Sequence, residues 1–109
     1  MFITTAEKID DIDILEYYGP VFGEIFTGIS WGKDIFINVR NRWGGRSQTF
    51  ENEIIKVREQ AIQECVDRAE KLGANAIIDF HVDYKPLFGD GSSMLLITCY
   101  GTAVKIEEL

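Results

Sequence analysis

Histidine, cysteine, basic residues and long apolar runs are all scarce in this 109-residue chain. With one histidine, no Ser-His-Asp order in a helpful context and no activated-nucleophile motif, the inventory for catalysis is poor and the expectation is a protein that is not an enzyme. The two cysteines, Cys65 and Cys99, match no CxxC pattern and suggest no disulfide framework, so both thiols are expected to be reduced. No stretch approaches ~18 consecutive apolar residues, the length needed to span a bilayer, so no membrane partner is expected. A basic region followed by an apolar run is missing from the N-terminus, so no signal peptide is read and the expected compartment is cytoplasmic. Eleven Lys and Arg against eighteen Asp and Glu give a net charge of −7. Nucleic-acid binding draws on cations that displace counterions from phosphates, so nucleic acid is excluded as the main partner.

What remains is an ordinary globular composition, 46% hydrophobic and 27% charged. The length fits one domain, residues 1–109, able to bury roughly two-thirds of its unfolded surface without a metal or disulfide. Charge is uneven along it. Lys33, Arg40, Arg42 and Arg46 fall close together and the tail Ile106-Glu107-Glu108-Leu109 is acidic, a distribution that suits a small anion or an acidic neighbouring subunit. Scattered solvated charge is the plainer reading.

Hydrophobic periodicity predicts an α+β fold, a small antiparallel sheet with one long helix packed across it. Ile3-Thr4-Thr5 reads as a short edge strand. Ile14 to Phe26 alternates as a long strand in which Gly19, Pro20 and Gly23 mark an edge, a bulge or a bend. Gly28 to Gly32 is a turn, and Asp34 to Trp43 reads as a short helix ended by Gly44-Gly45. From about Ser47 to Leu72 the signal is strongest. Ser47 or Thr49 caps the start, Glu51 and Glu53 complement the dipole, and Gly73 stops the helix. Phe50, Ile54, Val57, Ala61, Cys65, Ala69 and Leu72 recur at spacings of three and four, and Ile55, Ile62 and Val66 widen the stripe beyond what one sheet requires. Ala76 to Tyr84 alternates, and after a turn from Pro86 to Ser92 centred on Gly89-Asp90-Gly91, Met94 to Val104 is nearly all apolar. That pattern predicts an antiparallel hairpin whose last strand is covered on both faces. The helix covers one face; another subunit is the expected cover of the other.

Three groups of residues are candidates for chemistry. Asp79, His81 and Asp83 project from one face of a strand, and the hairpin could bring Cys99 opposite His81. Carboxylate, imidazole and thiolate together suit Zn²⁺ or another heavy-metal ion. A solvent-facing polar row is the plainer reading, and Cys65 belongs to the helix's core stripe. Gly44, Gly45, Arg46 and Ser47 at the helix start offer free N–H groups, the positive dipole end and a cation, as an anion site or as an interface turn. No GxxxxGKS or GxGxxG pattern accompanies them, so no nucleotide is implied. Glu24 after Gly23 suits a ligand, a base or an inter-subunit salt bridge to Arg40 or Arg46.

Four short motifs in order carry a resemblance. They are Glu16-Tyr17-Tyr18-Gly19 continuing to Val21-Phe22-Gly23-Glu24; Gly44-Gly45-Arg46-Ser47; Leu72-Gly73-Ala74-Asn75-Ala76-Ile77; and Met94-Leu95 followed by Gly101-Thr102-Ala103-Val104. Together they resemble the YbjQ-like family of small bacterial proteins, often described as heavy-metal-binding, over nearly the whole chain. The resemblance implies a dodecin-like subunit that assembles into a ring-shaped homopentamer, and it implies no established activity. Its metal description brings no ligand motif to carry over. The expected function is a non-enzymatic, self-assembling protein that binds a metal ion or small ligand. A purely structural or protein-interaction oligomer is the alternative, and a small hydrolase-like enzyme a distant third.

Overall fold

A computed structural model describes residues 1–27, 45–89 and 92–107. Its elements run β1 (Phe2–Ile3), β2 (Ile14–Thr27), α1 (Gly45–Leu72), β3 (Ala76–Gly89) and β4 (Ser92–Ile106). The strands form one sheet in the order β1-β3-β4-β2, with α1 packed across it. This is the α+β fold that the periodicity predicts. The sheet is mixed, because the two-residue β1 runs parallel to β3 while the other pairs are antiparallel. The predicted turn at 28–32, the predicted helix at 34–43 and the basic residues Lys33, Arg40 and Arg42 lie outside the described residues, as do Gly44, Asp90, Gly91, Glu108 and Leu109. No helix among the described residues is long and apolar enough to cross a membrane.

Helix α1 forms where the three-to-four spacing placed it, and two of its details differ from expectation. It starts at Gly45, two residues before Ser47, so Ser47 and Thr49 lie within the helix and no acid falls in its first turn. The widened stripe is also largely used inside the chain. Val57, Ala61, Cys65 and Ala69 are buried, Ile54, Ile62 and Val66 pack beside them, and Ile55 and Leu72 stay exposed. Gly73 ends the helix at φ +95°, a conformation that side chains with a Cβ resist. There the Ala74 N–H donates to the Ala69 carbonyl and the Gly73 N–H to the Glu70 carbonyl, satisfying two terminal acceptors. Asn75 then behaves like an extra rung of the sheet. Its side chain donates to the Ile106 carbonyl at 3.0 Å and accepts from the Ile106 N–H at 2.8 Å.

Strand β2 is an edge strand, as Gly19 and Pro20 indicate, and its pairing with β4 shifts register between Ile14 and Glu16 and again between Tyr17 and Gly19. Helix and strand cross closest at Gly23. A Cβ there would lie 2.0 Å from the Ala61 carbonyl oxygen and 2.9 Å from the Cys65 nitrogen, so only glycine lets α1 sit this low. The crossing is clamped nearby, where the Arg68 guanidinium donates to the Phe22 carbonyl and pairs with Glu64.

The hairpin is longer than predicted. Strand β3 continues through Pro86 to Gly89, and Pro86 pairs with Leu95 rather than opening a turn. Proline is tolerated there because β1 pairs only near the start of β3, leaving Pro86 on an edge. Strands of 14 and 15 residues at about 3.3 Å per residue explain the longest extent of 53 Å.

The core lies between α1 and the sheet, with Ile77, Ile97, Cys65 and Cys99 fully buried. Burying one such isoleucine contributes about 1.5–3 kcal/mol. A second, smaller cluster occupies the other face of the sheet. Ala76, Ile78, Val104 and Ile106 are covered there by Ile9, Ile12 and Ile14. The chain's own N-terminal segment thus shields part of the face for which the sequence suggested only another subunit as cover.

Candidate functional site

The helix-free face of the sheet is shaped by a bulge in β3. Ile78 pairs with Thr102 and His81 with Tyr100, which leaves Asp79 and Phe80 together opposite Gly101. Asp79 adopts φ +52°, unusual for a residue with a side chain. Its N–H donates to the Ala6 carbonyl and the Phe80 N–H to the Thr4 carbonyl, so the segment after β1 holds the bulge in place. Gly101 makes room for it, since a Cβ there would lie 2.6 Å from the Ile77 side chain and 3.0 Å from the Ile78 carbonyl oxygen. The extra residue reverses which side chains face α1. Ile77 does so before the bulge; Phe80 and Val82 do so after it.

This reversal sorts the candidate ligands. His81 pairs with Tyr100 on the open face, while Cys99 pairs with Val82 and with Gly23 on the helix face. The expectation that Cys99 stands opposite His81 is therefore corrected: the sheet itself separates the two. Cys99 shares the core with Cys65, whose thiol hydrogen points at the Val21 carbonyl at 3.7 Å. Burial pushes the Cys65 thiol up to about 11, helped by the neighbouring Cys99, and burial likewise raises Cys99. At neutral pH both are thiols, and a thiol is a poor metal ligand.

Asp79, His81 and Asp83 do share the open face, but as two pairs. The His81 Nε2 lies 3.0 Å from the Asp79 Oδ1, with both side chains about half exposed. Asp83 hydrogen-bonds the Tyr100 phenol, which together with burial and the charges of Asp83 and Asp79 raises the phenol's pKa. The His81 ring rests 5.5 Å from that of Tyr100, and Phe22 lies 6.4 Å from Tyr100 on its other side. Three rings thus cross three strands in one row. Glu24, Thr98 and Asp83 form the next row and Phe26, Leu96 and Lys85 the one after. Glu24 joins this face, yet it is separated from Asp83 by the width of two strand spacings, about 9.5 Å.

Among the described residues no three His, Cys, Asp or Glu side chains come close enough to hold a metal ion. Gly45, Arg46 and Ser47 open α1 as helical residues. Gly44, the fourth member of that proposed anion site, is outside the described residues. Tyr100 and Phe22 escaped the sequence reading as members of this surface. Their place becomes visible only once the register of β4 against both neighbours is known.

The comparisons with known proteins agree with the fold and motifs. The model of the YbjQ family, described as "Putative heavy-metal-binding", matches residues 1–107. The chain belongs to this family. A UPF0145 protein of Listeria welshimeri is 48% identical over 107 residues, covering 98% of this chain and 96% of its own length. UPF0145 proteins of Listeria monocytogenes and Listeria ivanovii match equally well. These family names specify no enzymatic activity. A crystal structure of a DUF74-family protein of unknown function from Pediococcus pentosaceus superposes with a TM-score of 0.70 at 20% identity, covering 98% of both chains, and shares the fold.

The donor set of one chain does not fit the metal in that description. Its only imidazole and only two thiols are His81, Cys65 and Cys99, all within the described residues. The imidazole stands on one face of the sheet and the protonated thiols lie under the other.

Proposed function

We propose that this member of the YbjQ family is a non-enzymatic subunit of a homo-oligomer, a ring of five as the family resemblance implies, whose assembled form takes up a metal ion or small ligand. The observation that carries the reading is the uncovered row of large side chains on the open sheet face. Phe22 and Phe26 are 45% and 54% exposed beside Tyr100 and Leu96, and Tyr17, Ile55 and Leu72 add further exposed apolar surface. Large apolar side chains left exposed on both sides of the polar Glu24, Thr98 and Asp83 row are what a protein contact would cover. The shape supports the same reading. A radius of gyration of 17.5 Å far exceeds the about 13 Å of a compact chain this long. With 7451 Å² accessible, this elongated two-layer subunit exposes more surface than the about 6,100 Å² of a compact monomer of its mass, and a neighbouring copy relieves that.

The non-enzymatic part rests on the poverty of reactive groups. The buried thiols are protonated and the one imidazole is tied to Asp79. Light scattering at micromolar concentration tests the assembly, with a mass several times that of one chain expected. Glu24→Ala and His81→Ala assayed in a broad substrate screen test the second part, and a turnover lost in either variant would overturn it.

A further inference from the structure

Three acids gather on the open face of the sheet. Asp79 holds His81, Asp83 holds the Tyr100 phenol, and Glu24 stands exposed across Thr98 from Asp83. Lys85 is the one cation in the three rows of side chains that cross this face. The face is therefore apolar at Phe22 and Phe26 and negative between them.

Such a face is ill suited to its own copy. A two-fold, face-to-face contact centred on the acidic row would set Glu24 and Asp83 against the same carboxylates of the next chain, and like charges in an interface repel. A head-to-tail contact, in which this face meets a different surface of the neighbour, avoids the repulsion. It is also the kind of contact that closes into rings.

The complement must be positive, and the chain concentrates its positive charge in one place. Residues 33–46 carry four of the eleven cations, Lys33, Arg40, Arg42 and Arg46, against one acid, Asp34. The rest of the chain carries seven cations against seventeen acids. The basic stretch also contains Phe36 and Trp43, so it matches the face in apolar as well as charged character. Arg46 is the second residue of α1, which packs on the side of the sheet turned away from Glu24 and Asp83. The sheet thus stands between Arg46 and the acids of its own chain, whereas a neighbouring copy meets no such barrier.

We infer that the open face of one copy takes the basic stretch 33–46 of the next, head to tail, with Glu24 and Asp83 receiving its arginines. This rests on the homo-oligomer reading and gives that assembly its direction. Every chain then both offers and receives, so a closed ring leaves no acidic face unpaired.

Charge reversal in the full chain, read by sedimentation velocity with circular dichroism as the check on folding, tests it. Glu24→Lys/Asp83→Lys and Arg40→Glu/Arg42→Glu should each weaken association by more than about 100-fold with helix content retained, because like charges then meet. Combining all four substitutions in one chain should restore the mass of the unmodified protein, since every contact regains opposite charges. The neutral pair Glu24→Gln/Asp83→Asn should weaken association by a smaller factor, and it reads the same contact without placing a new charge on the sheet. Unchanged mass in these variants, or a combined variant as small as its parents, would overturn the inference while leaving the oligomer standing. A reversal that lowers the unfolding midpoint at constant mass would overturn it too, by placing the basic stretch on its own chain. An unmodified protein with the mass of one chain would instead overturn the assembly on which the inference rests.

Discussion

Gly23 lies so close beneath Ala61 that a single methyl group cannot fit between them: a Cβ on Gly23 would stand 2.0 Å from the Ala61 carbonyl oxygen. That carbonyl belongs to helix backbone, so nothing flexible can swing aside. Gly23→Ala must lift α1 from β2 and is expected to destabilise the chain by about 3 kcal/mol, the upper range for overpacking. Denaturant unfolding of the variant measures it. A midpoint equal to that of the unmodified chain would contradict this close crossing of α1 over Gly23.

Asn75 closes the end of the sheet by taking both hydrogen bonds of Ile106. Asn75→Ala strands a partly buried N–H and carbonyl, and should cost about 2 kcal/mol. Asn75→Asp keeps the acceptor and turns the donor into a second acceptor facing a carbonyl, so it should be no milder. Amide exchange should locate the damage, with protection lost first near the end of β4.

Stability should fall in alkali through Cys65. The thiol's pKa is 9.0 in an open chain and about 11 when folded. Between those values the folded state keeps a proton that the unfolded state has lost. The contribution is therefore fully present below about pH 9 and disappears as pH rises to about 11. A shift of this size corresponds to roughly 2–3 kcal/mol. Unfolding curves from pH 7 to 11 for the unmodified chain and Cys65→Ala should converge as pH rises. Parallel curves would contradict the account.

The backbone at Asp79 predicts a graded response. At φ +52° a β-branched side chain is strained, whereas asparagine is tolerated. Asp79→Val should cost about 1–2 kcal/mol more than Asp79→Asn, measured by thermal unfolding. Equal effects would place the bulge elsewhere.

The helix and long strands were legible in the sequence because each repeats one period over many residues. Ala61, Cys65 and Ala69 recur at four and are all fully buried. The candidate site was less legible because one extra residue decides it. Ala76 to Tyr84 reads as unbroken alternation, yet the bulge at Asp79 and Phe80 exchanges its faces, and with them the partner of His81. The available hint was Gly101, a glycine inside an otherwise apolar strand, whose missing side chain admits the bulge. Ile9, Ile12 and Ile14 gave even less warning. Ile9 and Ile12 lie among acids without a helical or strand period, Ile14 reads only as the start of β2, and the packing of all three on Ile78 and Val104 is a tertiary fact. The open face that remains beyond them is narrower than the apolar content of β4 suggested, and it is centred on Phe22, Tyr100 and Phe26.

A negative charge on that face should keep chains apart without unfolding them. Phe26 is more than half exposed in the single chain, so Phe26→Glu has little core packing to lose. In an assembled interface the same carboxylate would be buried unpaired, which costs several kcal/mol. The variant should shift to smaller species, read by sedimentation velocity, with its helix content retained. An unchanged mass distribution would remove Phe26 from the interface.

The most direct test of the central claim is the solution mass of the unmodified protein, measured by multi-angle light scattering at micromolar concentration. Assembly through the open face of the sheet predicts a single species several times the mass of one chain, and a ring of five if the family's implied symmetry holds. A stable species with the mass of one chain would contradict it.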